Sequence, residues 1–113
     1  DGDGLTVGSE KVSQLRMYTV NGGMMDSWVN LFSGTLAPLQ ENLGMKIDAQ
    51  WVNEDKNQFI WIRSFADDDD LKAKEAAFGA SPDWQAIQGS ARDHLARLDV
   101  ITMNAVAKVA VKA

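Results

Sequence analysis

Residues 12–44 read VSQLRMYTV, then NGG, then MMDSWVNLFSGTLAPLQENL, and close on Gly44. In Val12–Val20 the side chains alternate: Leu15, Met17 and Thr19 take one face of a strand, and Gln14, Arg16, Tyr18 and Val20 the other. Asn21-Gly22-Gly23 supplies residues that tolerate positive φ and ends the strand sharply. From Met24 the period changes. Met24, Trp28, Leu31, Phe32, Leu36, Leu39 and Leu43 recur at three- and four-residue steps, the apolar stripe of a long amphipathic helix. Gly44 stands where a helix C′ glycine belongs. Pro38 lies inside this helix, and its ring would strike the carbonyl of Gly34, so a kink is expected between the two.

A strand followed by an amphipathic helix needs partners for both apolar faces, and the downstream sequence provides them in order. Met45 to Asn53 alternates, with Ile47, Ala49 and Trp51 set against Asp48, Gln50 and Val52. Glu54 to Asn57 reads as a hairpin turn, and Gln58 to Phe65 as the returning strand, with Phe59, Trp61, Arg63 and Phe65 on one face. Asp67 to Asp70 opens a helix of about Asp68 to Phe78, with carboxylates at the positive end of its dipole. Ser81-Pro82-Asp83 opens another, with Ser as N-cap, Pro at the first helical position and a stripe of Trp84, Ile87, Ala91 and Leu95. Leu98 to Val111 is rich in β-branched residues and reads as the final strand, Ala105 to Ala110 being ambiguous. The order βαββαβ with right-handed crossovers gives an α+β, ferredoxin-like fold: a four-stranded antiparallel sheet with its helices on one face. The strands carry large apolar residues at both parities, Phe59 and Trp61 beside Ile60 and Ile62. A sheet with one wet face would be polar at one parity. The second face therefore needs a cover, and a homodimer packed through the sheet face is the economical one.

With 113 residues the chain is one domain, expected over residues 12–113 behind a flexible tail at 1–11. A formal charge of -5 argues against nucleic acid, whose phosphates call for a basic surface. Without cysteine there is no disulfide, thiol nucleophile or thiolate metal site. No apolar run approaches the ~20 residues of a membrane span. No signal peptide is visible, so a cytoplasmic location is expected. Asp1, Asp3, Gly4 and Glu10 have the spacing of the last part of a calcium loop, but no helix precedes them and a strand follows, which favours a plain tail.

Leu15-Arg16-x-Tyr18-x-Val20 with the Gly22-Gly23 turn, the helix carrying Trp28 and Pro38, Gly44, the aromatic strand Phe59 to Phe65 and Ser81-Pro82-Asp83-Trp84-Gln85 together resemble the NIPSNAP family of the dimeric α/β-barrel superfamily. The resemblance covers about Val12 to Leu98. It implies a homodimeric barrel with a pocket between sheet and helices in each subunit. It implies no particular reaction, because that superfamily includes cofactor-free monooxygenases, cyclases, haem proteins and non-catalytic members.

The residues able to carry chemistry are few. His94, the single histidine, suits a general base or, less readily, a haem ligand; the plainer reading puts it on the exposed side of the last helix beside its terminal carbonyls. Arg16 and Tyr18 share a strand face and Arg63 lies on the third strand, a set able to hold a carboxylate or enolate oxygen. The alternative is a structural ion pair, for instance with Asp48. Trp28, Phe32, Trp51, Trp61 and Met103 are candidate walls for an aromatic ligand, although indoles at such spacing, Trp84 included, usually pack a core. Asp67 to Asp70 point in different directions and do not converge on a metal. The expectation is a small-molecule pocket protein without cofactor or metal, an enzyme of cyclase, isomerase or monooxygenase type acting on an aromatic or hydrophobic substrate in specialised metabolism. The alternative is a non-catalytic dimeric ligand-binding or interaction scaffold.

Overall fold

The computed structural model describes residues 11–106. The calcium-loop spacing at residues 1–10 and the expected strand beyond Val106 lie outside them. Strand β1 (Val12–Val20) leads into a helical run of three parts: α1 (Met25–Leu31), a π-helical turn (Phe32–Leu36) and α2 (Ala37–Asn42). Then come β2 (Lys46–Val52), β3 (Gln58–Phe65), α3 (Asp68–Ala80), α4 (Pro82–Asp93) and β4 (Leu95–Asn104). The sheet order is β2-β3-β1-β4 with every pairing antiparallel, the ferredoxin-like α+β arrangement.

The expected kink at Pro38 takes the form of that π turn. Pro38 has no N–H to offer, and the Ala37 N–H reaches back five residues to the Phe32 carbonyl. The extra residue rotates the second half of the helix, so the buried row becomes Trp28, Phe32, Leu36 and Gln40 in steps of four. Leu39, expected inside, is displaced to a partly exposed position. Gly44, at φ 89°, closes the helix with its N–H on the Glu41 carbonyl, and the Met45 N–H returns to Gln40.

A bulge corrects the reading of β2. Ile47 pairs with Arg63 but Ala49 with Ile62, so Asp48 is the extra residue and the alternation changes phase there. Ile47 packs against the helix-side core, whereas Ala49 and Trp51 fall in register with the opposite face. β4 begins at Leu95, three residues before the expected start, because it pairs with Val20 directly after α4.

Two apolar clusters lie between sheet and helices. The larger contains Tyr18, Val20, Trp28, Phe32, Leu36, Phe59, Trp61 and Ala91. The smaller contains Val12, Met45, Phe65 and Leu71. α3 starts on paired caps: Asp67 accepts the Asp70 N–H at 2.8 Å, and Asp70 accepts the Ala66 N–H at 2.9 Å. The Ala66 N–H, and then Lys74, hold the Asp70 carboxyl below its ordinary 3.8. On the far side of the sheet no element among the described residues covers Leu15, Met17, Ile60, Ile62 and Ile101, and Ile101 is 48% exposed. Among the described residues no helix is long and apolar enough to cross a membrane.

Trp28, 1% exposed, joins Tyr18, Phe32, Phe59 and His94 in one aromatic cluster. Trp28→Ala is expected to destabilise the fold by about 3–5 kcal/mol. Guanidinium unfolding at fixed protein concentration measures this, and a loss under ~1 kcal/mol would mean that Trp28 is not the keystone described.

Candidate functional site

β1 and β3 place Arg16 opposite Trp61, Tyr18 opposite Phe59 and Gln14 opposite Arg63, all on the helix-facing side. The two apolar clusters therefore leave a polar row between them: Val12 and Phe65 on one side, Tyr18 and Trp61 on the other, with Gln14, Arg16 and Arg63 in the middle. Arg63 is 4% exposed, and each of its three nitrogens has an acceptor. It donates from Nε to Gln14 Oε1 at 2.9 Å, from Nη1 to Gln40 Oε1 at 2.8 Å, and from Nη2 to Glu75 Oε2 at 2.8 Å. The π turn is what brings Gln40 into reach. The structure thus pairs Arg63 with Glu75 on α3, and Asp48 pairs with Lys46 instead. Burial, and then the neighbouring Arg16, lower the Arg63 pKa from the usual arginine range to about 10, which leaves it a cation at neutral pH.

Arg16 is placed differently. It donates from Nε to the Tyr18 hydroxyl and from Nη1 to Gln14 Oε1, both at 2.8 Å. Its guanidinium lies 5.7 Å from the Tyr18 ring centre and 5.6 Å from that of Trp61. Among the described residues it has no carboxylate partner and its Nη2 no acceptor. Tyr18, having accepted from Arg16, keeps its own hydroxyl proton to donate.

These groups face a cavity of about 260 Å³ between the sheet and the helices. Trp28, Phe32, Leu36 and Trp61 form its floor, and Phe78 and Trp84, with ring centres 4.7 Å apart and planes tilted by 31°, form its helical wall. Gly79, Arg92 and Leu98, all exposed, stand at its mouth. The buried indole N–H groups of Trp28 and Trp61 have no hydrogen-bond partner among the described residues. Glu75 is the one carboxylate among the lining residues.

Of the residues singled out from sequence, Arg16, Tyr18, Arg63, Trp28, Phe32 and Trp61 line this cavity. Trp51 and Met103 do not. Trp51 is half exposed on edge strand β2, and Met103 pairs with Ser13 in register with the uncovered face. His94 is absent from the lining as well, and it is buried rather than exposed. Its Nδ1 lies 2.7 Å from the Ser90 carbonyl and so carries the proton, while Nε2 lies 2.8 Å from Ser27 Oγ. It ties α4 to α1. Gln14, Gln40, Glu75, Trp84 and Arg92 are the lining or second-row residues that sequence reasoning missed as site residues. For Gln40 the available signal was the four-residue step from Trp28 through Leu36.

The sequence matches the NIPSNAP family model over residues 13–108. No curated protein sequence matches it. Among solved structures, a NIPSNAP family protein of unknown function from Agrobacterium tumefaciens superposes with a TM-score of 0.79 at 18% identity, over 92% of this chain and 96% of that one. A NIPSNAP domain protein from Burkholderia xenovorans gives 0.78 at 13% identity, over 84% and 94%. SnoaB, a cofactor-independent oxygenase from Streptomyces nogalater, gives 0.68 at 16% identity, over 90% and 99%. At these identities the likeness is one of fold.

The polar row makes a counter-intuitive prediction. Gln40→Leu adds apolar surface and helix propensity, yet is expected to cost about 2–3 kcal/mol, because a buried cation loses an acceptor. Adding Arg63→Met to it should recover most of that loss. With an Arg63 pKa of about 10 the cost should not vary between about pH 6 and 9, since the group stays charged throughout. Urea unfolding of the single and double variants decides it. A stabilised Gln40→Leu protein would overturn the account.

Proposed function

Because this chain belongs to the NIPSNAP family and holds an aromatic cavity with a guanidinium–phenol corner, we propose that it binds an aromatic or hydrophobic small molecule there and acts on it without a cofactor. The observation that carries this reading is the Arg16–Tyr18 pair on the cavity wall: Arg16 Nη2 and the Tyr18 hydroxyl proton have no acceptor among the described residues, and aromatic side chains surround them. Cyclisation, isomerisation or oxygenation of a phenol or an enolisable ketone passes through an oxyanion on the substrate. Arg16 and the Tyr18 hydroxyl are placed to stabilise such an oxygen, and the surrounding rings, by excluding water, strengthen that interaction. Glu75, the lining carboxylate, is the group available to take a proton, and its bond to Arg63 fixes one oxygen while leaving the other free. No proton step runs through His94, whose two nitrogens are engaged away from the cavity. The fold likeness to SnoaB supports the reading only in that this architecture also occurs in a cofactor-independent oxygenase.

The apolar far face of the sheet supports a second element of the proposal, a homodimer closed through that face. Leu15, Met17, Ile60, Ile62 and Ile101 form one continuous apolar surface on strands whose helix-facing side is already covered. Ile101→Glu places a charge in that surface without touching the core. Sedimentation should show a dimer for the parent and a monomer of unchanged circular dichroism for the variant; a monomeric parent at tens of micromolar sinks the dimer.

For the pocket, thermal shift against phenols, quinones and polyketide-like polycyclic ketones should show a rise of several degrees at saturating ligand. Gly79→Phe is the informative variant. A Cβ at Gly79 meets nothing within 4 Å, so a ring there can obstruct the mouth without a backbone clash. It should abolish the shift while leaving the unliganded melting temperature at or above that of the parent. No shift across the panel would favour the interaction scaffold over a ligand-binding role.

A further inference from the structure

The chain is acidic, at -5 overall, but the cavity is the reverse. Arg16, Arg63 and Arg92 line it and Glu75 alone opposes them, an excess of two positive charges. Arg63 and Glu75 neutralise each other at 2.8 Å. Arg92 is exposed and water solvates it. The charge left over on the sheet side is that of Arg16. It is partly buried, set against the Tyr18 and Trp61 rings, and unpaired among the described residues. A cation held against rings away from bulk water gains most from an anion that replaces its lost hydration.

Resting on the pocket reading above, we infer that the molecule this cavity takes is an aromatic acid: a planar ring system bearing one carboxylate, held by Arg16 and the Tyr18 hydroxyl. The charge count favours a carboxylate. One guanidinium without a carboxylate partner matches one negative charge, and Arg16 Nη2 and the Tyr18 hydroxyl can each donate to one of its oxygens. A phosphate ester would bring a second charge that no further unpaired cation on the sheet side neutralises. The ring body then packs among the aromatic side chains that line the cavity, Phe32, Trp61, Phe78 and Trp84. Arg92 at the mouth adds a solvated positive charge that favours entry of an anion into an otherwise acidic protein.

The test is a matched series in isothermal titration with the full chain: benzoate, 2-naphthoate and anthracene-2-carboxylate, each against its own neutral carboxamide. At low salt at least one acid should bind about tenfold or more tightly than its amide, and 0.5 M NaCl should shrink that ratio. Arg16→Gln should bring acid and amide within about threefold of each other, the acid losing more affinity than the amide, and Arg16→Lys should keep part of the preference. Tyr18→Phe, which removes one oxygen and preserves the ring, should lower the ratio by itself and covers the case of an unfolded Arg16 variant. Amides that bind as tightly as their acids would overturn the inference and leave the pocket standing. Binding by neither series at millimolar concentration would overturn both. An acid preference that survives in both Arg16→Gln and Tyr18→Phe would place the anion elsewhere and overturn the assignment.

Discussion

A guanidinium buried to 4% exposure organises the interior of this domain. Arg63 sits between two apolar clusters that would otherwise merge, and a cation at that depth is tolerable only with every N–H satisfied. Its partners come from three elements: Gln14 on β1, Gln40 on α2 and Glu75 on α3. The register of β1 on β3, the rotation of the first helix and the seat of α3 are therefore all constrained by one side chain. A shift of any of them by one residue would leave a buried charge short of an acceptor. An interior filled with aliphatic residues would tolerate such slips more easily.

The same constraint explains why the first helix is not a plain α-helix. A straight helix would carry Leu39 inward and turn Gln40 away. The π turn at Phe32–Leu36 both accommodates Pro38, which cannot donate, and brings Gln40 to Arg63. One irregularity thus meets a local steric demand and a distant electrostatic one. Sequence periodicity registers only the first, because a stripe is read from apolar residues and Gln40 is polar.

This marks the boundary of what the chain made legible. Strand and helix order, both helix caps at Asp67 and Ser81, the Gly44 terminus and the topology follow from period and capping residues, which act over a few positions. Arg16, Tyr18 and Arg63 were placed on usable faces because β1 and β3 are regular. Trp51 was misplaced because a bulge at Asp48 shifts alternation by one, and nothing in KIDAQWV marks it. Met103 was misplaced because its face depends on cross-strand register with β1, which β4 alone does not specify. His94 looked exposed by helical spacing, yet it ends α4, and the turn into β4 carries its ring beneath Trp28. Each miss concerns a residue whose orientation is set by a neighbour distant in sequence.

Arg16 and Arg63 are near neighbours, and Arg16 contributes to the lowered pKa of Arg63. A single arginine with Glu75 would satisfy the packing of β1, β3 and α3 without that repulsion. The second guanidinium has Gln14 and Tyr18 as its hydrogen-bonding partners among the described residues and lies over the Tyr18 and Trp61 rings, with no carboxylate beside it. A guanidinium that faces an aromatic cavity and has no carboxylate partner among the described residues is the group that an anion, if one binds, would compensate. An anion bound there would remove the repulsion and the desolvation cost together, so its binding would stabilise the fold by relieving a cost already present in the empty domain.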